Sequence, residues 1–302
     1  MVSTTELGMR QLRPEVMSSG RPILVTGATG RQGGAVLRQL LQQGCRVRAL
    51  TRDETSRKAR ALAALGAEIV VGDLNDRVSI ARAVEGTRAV FGVQDPWLHG
   101  IAAEIRQGKM LGDVAKEAGV RRFVQASVAA ADLPTGLPHF ESKGVIERHL
   151  ESLGLEAYAV RPVLFMESFV KRHEKRAPYI LGMLRRGLRG KPVQLVTVND
   201  IGRIAAEALL ADDDGTPGLR VIEVAGDELT FDQIVATFVS VTSSRPRVIH
   251  LPSVVVRLLA NKAYLSYRWM GEHGWHYDLA AQRARRPWVT TFDAWLRADS
   301  HV

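Results

Sequence analysis

The stretch Ile23-Leu24-Val25-Thr26-Gly27-Ala28-Thr29-Gly30-Arg31-Gln32-Gly33 decides how this chain is read. A short apolar run stops at a turn whose glycines fall at the spacing GxxGxxG. A helical stripe of Val36, Leu37, Leu40 and Leu41 follows, and Gly44 closes it. Each glycine has a physical task. Gly27 allows the tight turn, Gly30 lets the backbone approach a pyrophosphate with no Cβ in the way, and Gly33 lets helix and strand pack closely. The helix start then offers unpaired N–H groups and the positive end of its dipole to phosphate oxygens. Thr29, Arg31 and Gln32 share the turn and are candidate contacts to the same ligand.

Outward from this turn, strands and helices alternate. Val47 to Thr51 reads as strand two, 56–65 as a helix, Glu68-Ile69-Val70-Val71 as strand three, and Val78, Ile80, Ala81 and Val84 as a helical stripe. Strand four is Ala89 to Val93, a long amphipathic helix covers 101–118, strand five is Phe123 to Ser127, a helix covers roughly 142–153, and strand six is Ala157 to Val160. Short apolar strands separated by helices imply an α/β fold, a Rossmann-type doubly wound parallel sheet that binds ligands at the carboxyl ends of its strands. After Pro162 the loops lengthen. Strand 193–198, helix 201–210 and strand 220–225 lead into a mostly helical stretch, 230–302, with Trp269, Trp275, Trp288 and Trp295. The expected organisation is a flexible N-terminal tail over 1–20, a dinucleotide-binding domain over 21–162, and a smaller, mostly helical C-terminal lobe over 163–302, interleaved with the first.

The end of strand two bears on the dinucleotide. NAD binders carry a carboxylate there for the ribose hydroxyls. This chain has Thr51-Arg52, and a guanidinium takes a 2′-phosphate bidentately where a carboxylate would repel it. Arg31 and Lys58 are placed to join Arg52, so NADP(H) is favoured. Asp53 keeps NAD(H) open, because an aspartate turned toward the ribose would reverse the choice. Asp73 and Leu74, after strand three, lie where the adenine belongs.

Composition narrows the classes. The net charge of +9, from 41 Lys+Arg against 32 Asp+Glu, raises anionic partners, but the excess is scattered in pairs such as Arg121-Arg122, Lys171-Arg172 and Arg285-Arg286. No helix-turn-helix, RNP or zinc-finger spacing accompanies it, so nucleic acid is not indicated. A single cysteine, Cys45, excludes an intrachain disulfide, and the residues before Pro22 contain no signal-peptide apolar run. No stretch is long and apolar enough to span a membrane. A cytoplasmic protein is expected. No metal-ligand cluster and no Gly-x-Ser-x-Gly elbow appears.

At this point the motifs resemble the NmrA-like family, a branch of the atypical short-chain dehydrogenases. The resemblance rests on Val25 to Gly34, Val47-Arg48-Ala49-Leu50-Thr51-Arg52, Val71-Gly72-Asp73-Leu74, Pro138 to Lys143, Arg161 to Glu167, Asp200-Ile201-Gly202 and Phe292 to Leu296, in that order along residues 22–297. It implies a Rossmann domain closed by a small lobe, NADP(H) binding, and one of two roles: a reductase, quinone reductases included, or a redox sensor that does little chemistry and works through a regulatory protein partner. Short-chain dehydrogenases generally use Ser, Tyr and Lys, with Tyr and Lys four apart. Lys143 stands in the lysine position and Ser127 ends strand five, but His139 replaces the tyrosine.

Three readings of that departure stay open. His139 acts as the general acid; or hydride passes to a quinone-like acceptor while solvent supplies protons; or Lys143 only anchors the nicotinamide ribose and nothing reacts. Gln94, after strand four, and Val163, after strand six, are expected near the nicotinamide. Trp97 and Phe165 are candidates to line an acceptor pocket by stacking.

Overall fold

A computed structural model describes residues 20–168, 177–212, 216–250, 252, 254, 256 and 261–298. The tail expected over 1–20 lies almost wholly outside the described residues, as does the basic pair Lys171-Arg172.

The main sheet begins with β1 (Ile23–Val25), β2 (Val47–Thr51), β3 (Glu68–Val71), β4 (Ala89–Gly92), β5 (Arg122–Ala126) and β6 (Glu156–Pro162). Among the described residues it has seven strands, all parallel. Their order is β3-β2-β1-β4-β5-β6 followed by a late strand, β9 (Gly218–Val224). The fold class read from the sequence is therefore the one observed. Strand order reverses between β1 and β4, and the crevice at that reversal is where a doubly wound sheet takes its ligand.

Helices cover both faces: α1 (Arg31–Gln42), α2 (Arg57–Ala64), α3 (Arg77–Val84), the single turn α4 (Pro96–His99), α5 (Ile101–Glu117) and α6 (Pro138–Ser152). The central strands β1, β4, β5 and β6 are buried on both sides, which is why they read as largely apolar runs. Two cores result. One lies under α1 and reaches the C-terminal region; the other lies under α3, α5 and α6, around Leu111, Phe123, Ile146 and Leu150.

The close fit of α5 on α6 has a sequence cause. A Cβ on Gly108 would lie 2.6 Å from Ile146 Cδ1, and one on Gly112 would lie 2.7 Å from Leu150 Cδ2. Glycines one turn apart thus open two holes in α5 for branched side chains one turn apart on α6.

The second half threads back through the first. After β7 (Leu164–Phe165), α7 (Ala177–Leu188) and β8 (Val193–Val196), helix α8 (Val198–Leu210) packs against α1, and β9 then joins the edge of the main sheet at β6. Strand β10 (Asp227–Leu229) pairs with β8 and β8 with β7, forming a small second sheet. Helices α9 (Phe231–Thr242), α10 (Asn261–His273), α11 (Leu279–Arg285) and α12 (Phe292–Ala298) complete the chain. Asp200, near the start of α8, accepts from Thr290 N and Thr290 Oγ1, and Asp227 accepts from Phe292 N, so two buried or half-buried carboxylates tie down the C-terminal segment.

Some strand bounds differ from the sequence reading by one or two residues, and two helix starts differ by three or more. The α6 helix starts at Pro138, four residues earlier than expected, because proline supplies a ready first helical residue. The α8 helix starts at Val198, three residues early, because Thr197 caps it by accepting from Asp200 N.

Candidate functional site

The first turn has the shape its glycines imply. Gly27 has φ of +56°, and a Cβ there would lie 2.5 Å from Val93 Cγ1. A Cβ on Gly33 would run into the Gly27 carbonyl oxygen and stand 2.6 Å from the Thr26 carbonyl oxygen. Gly30 is the N-cap of α1 and has no side chain with which to cap it. Behind the turn, the buried Thr26 hydroxyl accepts from Val93 N at 2.8 Å, fastening the end of β1 to the end of β4 across the strand-order reversal.

Around this turn the predicted cationic residues Arg31, Arg52 and Lys58 are all exposed, at the carboxyl ends of β1 and β2 and the start of α2. Asp53 Oδ1 accepts from Thr55 N at 2.8 Å and Thr55 Oγ1 at 2.6 Å, and these bonds hold its carboxyl below the usual range. That oxygen is committed to its own loop. Asp73 Oδ1 is likewise occupied, by Asn75 N and Asn75 Nδ2, beside the half-buried Leu74. Thr29 and Gln32 are half-buried in the turn, and Gln32 Oε1 is buried with no hydrogen-bond partner among the described residues.

At the other end of the crevice the polar groups are buried. Lys143 Nζ lies 2.6 Å from Glu104 Oε1 and donates to the Gln94 carbonyl oxygen at 3.3 Å. Ser142 Oγ donates to Glu104 Oε2 at 2.5 Å. Gln94, 4% exposed, accepts at Oε1 from Gln125 Nε2 at 2.8 Å, while Gln94 Nε2 and Gln125 Oε1 are buried without partners among the described residues. A buried amide left half-satisfied costs stability, so each such group calls for a partner. Val163 is buried, its N–H donating to Val224 O, and so joins the end of β6 to β9.

Ser127 and His139 are placed differently from Lys143. Ser127 Oγ donates to Glu147 Oε1, and the same carboxylate holds Arg161 through Nε at 3.0 Å and Nη2. The serine is thus a member of a buried ion-pair network. His139 lies on α6, one turn before Lys143, as the four-residue spacing requires. Its Nε2 is 3.0 Å from Ser266 Oγ of α10, and its ring is 5.2 Å from that of Trp97 and 4.8 Å from that of Phe140. Burial first, then the nearby Lys262 charge, lowers its pKa from 6.5 to about 4, so the imidazole is neutral at pH 7.

Comparison with known proteins bears on this geometry. Residues 20–296 match the NmrA-like family as a whole. The chain belongs to the NmrA-like family. Among curated proteins it is 28% identical over 260 residues to the NmrA-like family domain-containing oxidoreductase malD of Malbranchea aurantiaca, covering 78% of this chain and 77% of that one. It is 32% identical over 259 residues to the corresponding oxidoreductase himF of Aspergillus japonicus, with 76% of each chain covered. Solved structures share the fold. The Citrobacter sp. triphenylmethane reductase complexed with NADP(H) gives a TM-score of 0.74 at 19% identity, over 92% of this chain and 99% of that one. The negative transcriptional regulator NmrA complexed with NAD gives 0.74 at 19% identity, over 93% and 95%.

Beside this NmrA-like crevice stands an aromatic wall. Trp97 and His139 lead through Phe140 to Trp269, 5.9 Å away, which stacks on His273 at 5.1 Å and approaches Trp275 at 6.5 Å. Trp269 and Trp275 are buried, Trp288 lies under the Arg203 guanidinium at 3.8 Å, and Trp295 packs on Phe292, while Trp275 Nε1 is buried without a partner among the described residues. Trp97 is 63% exposed at the outer end of the wall, and Phe165 is half-buried on β7. Among the described residues no group of three or more His, Cys, Asp or Glu is arranged to hold a metal, and no helix is long and apolar enough to cross a membrane.

The sequence reading missed Glu104, Gln125 and Thr26. A signal for Glu104 was present: it shares a buried helix face with Ala103, Gln107, Gly108 and Leu111, and a carboxylate on such a face requires a buried cation.

Proposed function

We propose that this NmrA-like protein binds NADP(H) across the β1/β4 crevice and reduces a flat, conjugated acceptor such as a quinone. The supporting observation is an aromatic wall, Trp97 and His139, standing one helical turn from a buried lysine in a crevice shaped for a dinucleotide. The residues fit the cofactor: the first turn admits no Cβ at Gly27 or Gly33, and Gln94 Nε2 is a buried donor without an acceptor among the described residues. In this reading Gly27, Thr29, Gly30, Arg31, Gln32 and Gly33 hold the pyrophosphate. Arg52 and Lys58 take the 2′-phosphate, Asp73 and Leu74 border the adenine, and Gln94, Lys143 and Val163 border the nicotinamide. When bound, the dinucleotide supplies a hydride.

What the chain itself contributes is position and exclusion. Lys143 presents a fixed positive donor. His139, neutral at pH 7, forms part of the acceptor wall, and protons for the reduced product come from solvent. A cytoplasmic location belongs to the same proposal. The experiment is NADPH oxidation by the purified protein, followed by absorbance, against a panel of quinones. Turnover well above that of Lys143→Ala is expected, and a panel in which the two proteins are indistinguishable overturns the reductase reading.

One set of observations favours a second reading, a dinucleotide sensor acting through a protein partner. The Ser127 hydroxyl is committed to Glu147, and His139 carries no spare proton at pH 7. That reading predicts nucleotide binding without turnover and a partner whose capture changes with NADPH. Capture identical with and without NADPH overturns it.

A further inference from the structure

We infer that Glu104 is a positioning residue of this site, whose charge holds the Lys143 ammonium in place as a donor to the dinucleotide. The inference rests on the dinucleotide-binding part of the reading above.

Glu104 sits in the first turn of α5 and is fully buried. Both carboxylate oxygens are engaged, Oε1 by Lys143 Nζ at 2.6 Å and Oε2 by Ser142 Oγ at 2.5 Å. The pair is fixed by backbone packing. Glu104, Gly108 and Gly112 step along α5 one turn at a time, opposite Ser142, Ile146 and Leu150 on α6. The two glycine holes set the helix separation, and the turn before them brings the carboxylate against Ser142 and Lys143.

Packing alone does not call for charges here. The next two layers of the same seam are apolar, and a buried ion pair is commonly no more stabilising than an apolar pair of similar volume. The arrangement makes better sense through Lys143. An ammonium has three N–H groups. One donates to the Gln94 carbonyl, and Nζ pairs with Glu104 Oε1 at 2.6 Å as an ion pair, which leaves a further N–H for a ligand oxygen; the Gln94 amide is a second buried donor without a partner among the described residues. An ammonium at this depth, 8% exposed, is costly to bury without a counter-charge beside it. Glu104 therefore compensates the Lys143 ammonium and fixes its direction, and it does so without touching the ligand.

A structural role and this electrostatic role predict opposite orders for two substitutions. Glu104→Gln keeps the volume and the bond to Ser142 but removes the charge. Glu104→Asp keeps the charge and loses a methylene. The measurement is NADPH affinity of the purified full-length chain by calorimetric titration, with melting temperature recorded in parallel. Glu104→Gln is expected to weaken NADPH binding about tenfold, and Glu104→Asp to retain more of the affinity. In a Lys143→Met background, Glu104→Gln is expected to change affinity no further, while the doubly neutral pair melts near the wild type. That double variant keeps the question open to measurement if Glu104→Gln alone folds poorly. Affinity of Glu104→Gln equal to wild type, an order in which Asp binds more weakly than Gln, or full additivity with Lys143→Met would each overturn the inference while leaving dinucleotide binding intact. A wild-type chain that binds no NADPH overturns both.

Discussion

The two ends of the crevice are made of opposite materials. At the end built on the glycine-rich turn, the proposed phosphate end, the features are backbone N–H groups and missing side chains, and the charges, Arg31, Arg52 and Lys58, are exposed. At the Lys143 end the working parts are charged and amide side chains, Glu104, Lys143, Gln94 and Gln125, each nearly or fully buried. The first end is therefore vulnerable to added atoms and tolerant of a changed charge. The second is vulnerable to a lost charge, because a buried ion that loses its partner stays uncompensated. Salt separates them as well, since exposed cations are screened and buried pairs are not.

The largest effect should come from adding atoms at the phosphate end. Gly33→Val puts a branched side chain into the Gly27 and Thr26 carbonyls, and is expected to cost about 1–3 kcal/mol in denaturant unfolding and to abolish measurable NADPH binding. Binding within a few-fold of wild type would show that the turn is not the phosphate cradle.

Next is Gly108→Val, which crowds Ile146 and parts α5 from α6 without touching the crevice. It is expected to cost a similar 1–3 kcal/mol, roughly, and also to weaken NADPH binding through Glu104. If unfolding moves and affinity does not, the two helices do not carry the lysine's position.

Arg52→Asp should act more gently and more selectively. The ratio of NADPH to NADH affinity is expected to fall about tenfold with little change in melting temperature, as for removal of one charge-assisted contact. An unchanged ratio removes Arg52 from the phosphate role and restores Asp53 as a ribose ligand.

The smallest effect at neutral pH is that of the aromatic wall, which responds only to acid. Native His139 takes up its proton only near pH 4, whereas an unfolded histidine does so near 6.5. The folded value is depressed, so this contribution to stability is complete above pH 6.5 and declines as pH falls from 6.5 toward 4. His139→Phe is expected to flatten that part of the stability profile measured by thermal melts. Parallel profiles for variant and wild type would show that the ring titrates as if exposed.

The glycine-rich turn was legible in the sequence because its determinants are local. Gly27, Gly30 and Gly33 lie within one turn of chain, and strand, turn and helix follow one another. The sheet was legible for a similar reason, since each buried parallel strand is a short apolar run. The other end was only half legible. Lys143 could be placed by the family resemblance, but its partner lies 39 residues earlier on another helix. The link between Ser127 and Glu147 depends on α6 lying across the end of β5, which a linear pattern does not record. The early starts of α6 and α8 were missed for local reasons: Pro138 and Thr197 are start signals, and the apolar stripe that follows them begins later.

The return of β9 to the edge of the main sheet has a consequence for how the protein is made. Until Val224 has left the ribosome, β6 presents an open row of amides and carbonyls flanked by apolar side chains, the kind of edge on which nascent chains stick to one another. A fragment ending at Pro162, although it holds the whole glycine-rich turn and Lys143, would leave that edge bare permanently. It should be recovered in inclusion bodies rather than as an autonomous nucleotide-binding module.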